Sequence, residues 1–246
     1  MLKNQLVLII QARMNSTRFP NKVISDLSGA PLIERILQRV KKVKKIRKII
    51  IATTKRKDDD ILVEIAKSNK VEAFRGSEND LVDRYYQAVK DKNFSHILRL
   101  PADNPIPDPS EYNRLINYHL KTDNDFSSNI INIMDNGYPC GIGVEIFTIK
   151  SLEKIWKLEK RKKYREHIPW NYYDYVNDRK NKKFNFKIGT VKCPEQISRP
   201  ELVFHVDYYK EYLFFKKLYQ YFWPIKKNFT TKDVLEWYDK IYSKLM

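Results

Sequence analysis

A continuous apolar run at residues 6–10 is too short for a helix face and reads as a strand covered on both sides. A polar stretch over 11–28 follows. Pro31 then opens a segment in which Leu32, Ile33, Ile36, Leu37 and Val40 recur at helical spacing. The alternation continues, with strands predicted over 49–52, 71–74 and 96–100. Helices are predicted over 58–68 and 78–90, the latter with Asn79 and Asp80 suited to its first turn. The fourth strand ends in a proline-studded loop, PADNPIPDP. Such spacing predicts an α/β fold: a mostly parallel sheet flanked by helices and joined by right-handed crossovers.

The second half is less regular. Residues 125–148 read as two strands around an Asn136-Gly137 turn, a β-rich insertion. Helices are expected near 150–160 and 165–178, strands over 184–191 and 202–206, and an aromatic helical tail from about residue 208. No repeat, linker or low-complexity tract interrupts the chain, so one domain is expected over 1–246.

Composition narrows this picture without deciding it. Hydrophobic residues make up 42% of the 246 and aromatics 13%, which is a folded composition. The net charge of +17 attracts nucleotides, nucleic acid or acidic lipid alike. The run KKVKKIRK fits the exposed face and exit of the first helix. Cys140 and Cys193 are too few for a disulfide scaffold and lack metal-ligand spacing, which suits a reduced, cytoplasmic protein. No apolar run approaches the roughly 20 residues of a membrane span, and the opening run is too short for a signal-peptide core.

Ligands of open α/β sheets sit beyond the carboxyl ends of the strands. The least generic segments fall there. Directly after the first strand, Gln11, Ala12, Arg13, Ser16, Thr17, Arg18 and Lys22 bring guanidinium, ammonium and hydroxyl groups to one loop, a set suited to a polyanion. The loop has no Gly-rich Walker pattern. After the fourth strand, Asp103 in the rigid loop LPADNP suits a hard cation. Asp207, following the run that ends at Val206, is the candidate second carboxylate. Of the histidines, His96 and His119 read as structural, His167 as a contact or base, and His205 as core or support for a metal. Cys140 reads as a small buried residue, and the aromatic tail as core or subunit surface.

The segments QARMNSTRFPNKV, FRGSENDLVDRY, RLPADNPIPDP, YPCGIGVEIFT, REHIP and FHVD occur in an order and spacing that resemble the cytidylyltransferases of the spore-coat polysaccharide biosynthesis family. These are similar to CMP-Kdo synthetase and acylneuraminate cytidylyltransferase. The likeness runs from about residue 6 to about 210. It implies a Rossmann-like nucleotide-diphospho-sugar transferase fold, use of CTP with Mg²⁺, and a homodimer formed through the β-rich excursion. By the same resemblance, Arg13 and Lys22 would hold the triphosphate, with Ser16, Thr17 and Arg18 lining the loop. Arg75, Gly76 and Ser77 fall on a second nucleotide motif, and Asp103 and Asp207 on the metal aspartates. Glu145, Arg165 and His167 fall on acceptor-side motifs. Asn15, Asn21 and Ala102 stand where the family usually has glycine, and Cys140 and Gly143 where it often has aspartates.

The reaction implied is attack of an acceptor oxygen on the α-phosphorus of CTP with release of pyrophosphate. A sugar hydroxyl would give a CMP-linked product and a phosphate a CDP-linked one. A nucleic-acid-binding module exploiting the positive charge and interleaved aromatics is the competing reading. It leaves the gathering of Arg, Lys and Asp at strand ends without an explanation.

Overall fold

The computed structural model describes residues 5–241 and is organised around the early apolar run, which forms β1 (Leu6–Gln11). It pairs in parallel with β2 (Ile46–Thr54) on one side and β4 (His96–Pro101) on the other. Leu6, Leu8 and Ile10 enter one core while Val7 and Ile9 enter the opposite one, so no polar position interrupts the run. β3 (Glu72–Gly76) continues the sheet beyond β2. On the far side follow β6 (Glu145–Thr148), β5 (Phe126–Ser128) and β9 (Ile188–Gly189), giving the order β3-β2-β1-β4-β6-β5-β9. Only β6 runs against its neighbours among these strands.

Helices cover both faces. α1 (Leu32–Val40), α2 (Asp60–Ser68), α4 (Pro109–Thr122), α7 (Tyr209–Phe222) and α8 (Thr231–Lys240) bury their apolar stripes in one core. α3 (Leu81–Val89) and α5 (Ile149–Leu158) pack on the other. The start of α3 is fixed by Asp80, whose carboxylate accepts the Asp83 N–H. Buried Asp108 accepts the Ser110 N–H at the start of α4 and both the N–H and hydroxyl of Thr231 at the start of α8. These bonds outweigh burial and hold its carboxyl below the ordinary range. Arg39 of α1 donates to the carbonyls of Pro107 and Phe229 and lies 4.4 Å over the Phe229 ring, tying the tail to the sheet.

The strands and helices expected in the first half are present, with ends displaced by a few residues: β2 begins at Ile46 and α3 at Leu81. The run KKVKKIRK is not a helix face: it follows α1, buries Val43, and its last three residues open β2. Helix α4, opened by an Asp cap and a proline at its first turn, was masked in the sequence by its proline-rich approach. Three expectations in the second half need correction. The helix expected over 165–178 ends early: α6 (Lys162–Glu166) gives way to a 3-10 turn at Ile168–Asn171 and a small hairpin of β7 (Tyr173–Asp174) and β8 (Arg179–Lys180). Pro169 lacks a donor, and Asp174 accepts the N–H groups of Val176 and Asn177, which is turn chemistry. Within 184–191 only Ile188–Gly189 pairs as strand. Residues 202–206 form no strand, because their partners are loops: Phe204 N–H donates to the Cys140 carbonyl and Val206 N–H to that of Asp103. β5 and β6 do pair antiparallel, but the Asn136-Gly137 turn lies inside a long excursion between them. The tail is helical as expected; its last five residues lie outside the described ones.

Candidate active site

Strand order reverses between β1 and β4, the switch point of such sheets. Beyond their carboxyl ends lies a cavity of about 490 Å³, within the roughly 300–1,000 Å³ usual for small-molecule sites. Gln11, Ala12, Arg13, Ser16, Thr17, Arg18 and Lys22 line it from the β1 side, and Ala102 and Asp103 from the β4 side. The start of α3 contributes Glu78, Asn79 and Arg84. Arg99 of β4 and the pair Glu166 and His167 complete the wall.

The loop after β1 is held from below. Fully buried Asp59 accepts the Met14 N–H at 2.7 Å, and its other oxygen accepts both the N–H and the hydroxyl of Thr54 at the end of β2. Burial alone would raise its pKa, but these donors prevail and hold it below the usual carboxylate range. The Met14 carbonyl accepts from Ser16 and Asn21, closing the turn. Asn21 sits at φ 60°, a left-handed conformation that asparagine tolerates better than most residues. Asn15 and Ala102 keep ordinary negative φ, so neither needs the glycine the family uses there. Phe19 meets Tyr209 and Tyr212 at 5.6 and 5.5 Å between ring centroids, docking the outer loop on α7.

Lys22 organises the carboxylates. Its nearly buried ammonium donates to the Val206 carbonyl at 2.6 Å and stands 3.3 Å from Asp103 Oδ2 and 3.6 Å from Asp207 Oδ1. Arg18, half exposed, adds an ion pair to Asp207 at 2.6 Å. Two carboxylates from opposite halves of the chain thus share one cation. Among the described residues no group of three or more His, Cys, Asp or Glu side chains is arranged to hold a metal. Two hard oxygen donors beside a polyanion-sized cavity do fit Mg²⁺, which commonly takes one or two carboxylates and completes its shell from substrate phosphates and water.

Other motif residues stand behind the cavity wall. Arg75 donates to the carbonyls of Thr54 and Arg56 and pairs with Asp60 at 2.5 Å, on the outer side of the β2–α2 corner. A side chain at Gly76 would press on Arg84, and the Ser77 carbonyl accepts from Arg84 Nε at 2.6 Å. Arg75, Gly76 and Ser77 therefore do not line the cavity; Arg84, which two of them support, does. Glu145 is buried, bonded to Arg99 at 2.5 Å and to the Tyr175 hydroxyl at 2.6 Å. Arg165 pairs with Asp80 and donates to the carbonyls of Trp156 and Glu159, bracing α6 against α3 and α5. His167 does line the cavity, packed on Trp170 at 4.4 Å. Burial, with help from the charges of Arg99 and Lys163, lowers its pKa despite Glu166, so it is neutral at pH 7.

Arg84 and Arg99 were missed by sequence reasoning, although each carried a signal. Arg99 interrupts an apolar strand in the middle of the sheet, and Arg84 sits between Val82 and Tyr85 on the buried side of α3. Burial lowers the pKa of Arg84, and Arg13 lowers it further. For Arg99 burial also works against the charge, but Glu145 and Tyr85 outweigh it and the group is held above its ordinary range.

The two lost aspartate positions have separate explanations. Gly143 lies against the backbone carbonyl of Asn129, so no side chain fits there. Cys140 does have a base nearby: its sulfur is 3.5 Å from His205 Nδ1, while His205 Nε2 is 3.5 Å from Asp207. Burial, together with Asp103, Asp207 and Glu145, pushes the thiol up to about 12, so it stays neutral and adds no third charge beside the carboxylates.

The sequence profile of the family described as "Cytidylyltransferase" matches residues 7–242. An uncharacterised protein of Methanocaldococcus jannaschii is 34% identical over 238 residues, 96% of this chain and 91% of its own length. The spore coat polysaccharide biosynthesis protein SpsF of Bacillus subtilis is 30% identical, covering 88% and 87%. Among solved structures, a cytidylyltransferase from Leptospira borgpetersenii superposes with a TM-score of 0.84 at 30% identity, over 97% of this chain and 95% of that one. A CMP-2-keto-3-deoxy-manno-octonic acid synthetase complexed with CTP shares the fold, with a TM-score of 0.64 at 14% identity over 88% and 99%. The chain belongs to the cytidylyltransferase family and is a CTP-dependent nucleotidyltransferase.

Proposed function

We propose that this cytidylyltransferase transfers CMP from CTP to a small hydroxylated acceptor, a sugar acid, sugar or phosphorylated metabolite, on the route to a surface polysaccharide or glycan. What carries the reading is the convergence of Arg13, Ser16, Thr17, Arg18, Lys22 and Asp103 on one cavity at the switch point of the sheet. Arg13 and Lys22 hold the triphosphate and offset charge on the departing pyrophosphate; the hydroxyls of Ser16 and Thr17 and the guanidinium of Arg18 line the same loop. Gln11 and Ala12 border the nucleotide, and Gly76 and Ser77 act on it from behind through Arg84, whereas Arg75 is spent on Thr54, Arg56 and Asp60 and does not reach it. Asp103 and Asp207 hold Mg²⁺, which when bound supplies charge stabilisation at the phosphates. Neutral His167 accepts the proton of the acceptor hydroxyl, with Arg165 bracing its helix.

The same reading includes a homodimer and a cytoplasmic location. Both cysteines are free, as in a reducing compartment, and no helix among the described residues is long and apolar enough to cross a membrane.

The test is pyrophosphate release from each of the four NTPs with Mg²⁺, against sugar acids, plain sugars and sugar phosphates. Acceptor-dependent release with CTP alone is expected. Asp103→Asn should cost at least about a hundredfold in kcat while leaving the fold intact. Full activity in that variant sinks the metal assignment. Salt-sensitive RNA binding without any release would favour the nucleic-acid module.

A further inference from the structure

A guanidinium inside a sheet is costly unless every part of it is used. Arg99 comes from the middle of β4, and its side chain is 12% exposed. Its Nε donates to Gln11 Oε1 at 3.0 Å and its Nη1 to Glu145 at 2.5 Å. Nη2 has no hydrogen-bond partner among the described residues, and Arg99 lines the cavity. The supporting groups are themselves committed. Glu145, wholly buried, gives its other oxygen to the Tyr175 hydroxyl. Gln11 Oε1 also accepts from the Tyr85 hydroxyl at 3.2 Å. Because arginine has only donors, the Gln11 oxygen must face Arg99, which leaves the amide nitrogen as a further donor at the cavity wall.

Resting on the reading of the cavity as a CTP and acceptor site, we propose that Arg99 binds an anionic group of the acceptor, a carboxylate or a phosphate, and that Glu145 and Tyr175 are positioning residues acting through it. Three observations carry this. Arg99 lies on β4 two residues before the strand ends at Pro101, roughly 7 Å down the strand from the loop that carries Asp103, so it is set back from the carboxylates that face the triphosphate. It lines the same cavity as Glu166 and His167, at the end of α6, and its charge is felt at the His167 ring. Finally, the guanidinium is aimed and desolvated before any ligand arrives, and unused N–H groups so fixed are matched by a planar pair of anionic oxygens. Glu145 is thereby reassigned: buried under the wall, it touches Arg99 and Tyr175 and stands too deep to meet an acceptor itself.

The experiment measures CTP affinity by calorimetry and acceptor KM by pyrophosphate release. Its probes are 3-deoxy-manno-octulosonate, N-acetylneuraminate, glucose 1-phosphate and glucose, with wild type, Arg99→Lys and Tyr175→Phe. The expected result is turnover of anionic acceptors only. Turnover of the acids alone identifies a carboxylate, and of the phosphate alone a phosphoryl group. Arg99→Lys, which keeps the charge but not the fork, should raise acceptor KM by about ten- to a hundredfold, the range for one charged hydrogen bond. CTP affinity should move by less than about twofold. Tyr175→Phe, whose ring stays in place, should shift acceptor KM in the same direction by several-fold, and this keeps the test valid if the lysine variant folds poorly. Efficient turnover of glucose overturns the proposal. So does an Arg99→Lys effect that falls equally on CTP affinity and acceptor KM, since a structural role would do that. A wild-type protein that binds no CTP contradicts the nucleotide reading instead, and the two failures are separate readouts.

Discussion

Asp59 offers a sharp test of how the nucleotide loop is held. Replacing it with asparagine changes one oxygen to an amide nitrogen and removes the charge, with no change in size. Asp59 serves three donors: the Met14 N–H at 2.7 Å on one oxygen, and the Thr54 N–H at 3.1 Å together with the Thr54 hydroxyl on the other. Asparagine has one accepting oxygen, so whichever way it turns, an amide N–H₂ faces a backbone N–H in a site with no water access. If the oxygen stays with Thr54, the Met14 contact is lost. A hydrogen bond to a buried charge contributes about 1.5–3 kcal/mol net, and part of this is returned because a neutral amide is cheaper to bury. A loss of about 2 kcal/mol is therefore expected. Where it is felt depends on which gives way. If the fold holds the loop regardless, urea denaturation will report the loss; if the loop shifts, CTP affinity will fall by about tenfold to thirtyfold. Both are measured on the same variant, by denaturation and by calorimetry. Stability within about 0.5 kcal/mol of wild type together with unchanged CTP affinity would refute the claim that Asp59 positions the loop.

Two further outcomes are expected. His119 is buried with its Nδ1 bonded to Ser127 and its Nε2 unpartnered, and burial, then the nearby His96, lowers its pKa to about 3; because the unfolded state binds the proton more readily, stability should fall as pH drops below about 6.5, by at most roughly 1.4 kcal/mol per pH unit. Urea denaturation between about pH 7 and 4.5 checks this, and His119→Gln should flatten the slope; an unchanged slope would count against it. Gly143→Ala places a methyl on the Asn129 carbonyl and should destabilise by about 1–3 kcal/mol, read as a lowered Tm; an unshifted Tm would show that this backbone contact is loose.

The first half of the fold was legible because its hydrophobic runs follow one rule. β1 is apolar without alternation since both faces are covered, and the helices between strands repeat a 3.6-residue stripe. The second half follows no such rule. Residues 202–206 are extended like a strand but pair with loops, and pairing partners are not written in local pattern. Segment 165–178 held its helical pattern on paper, yet Pro169 and the turn chemistry of Asp174 overrode it. For the site, the loop after β1 could be found because cations cluster in sequence. Arg84 and Arg99 could not be found the same way: each is a single charge whose purpose depends on what lies opposite, Ser77 in one case and Glu145 in the other. Asp207 was reached from the run before it, but its partner Lys22 is known only from three dimensions.

The bond from Lys22 to the Val206 carbonyl spans 184 residues of sequence, and the pair of Arg18 with Asp207 spans 189. Closing so long a loop is slow and comes after local structure. During synthesis, β1 and its loop leave the ribosome long before residues 206 and 207 exist, so the carboxylate pair cannot assemble on a partial chain. Metal-dependent turnover by a nascent or truncated protein would accordingly serve as a late reporter, silent until Val206 has docked on the Asp103 carbonyl.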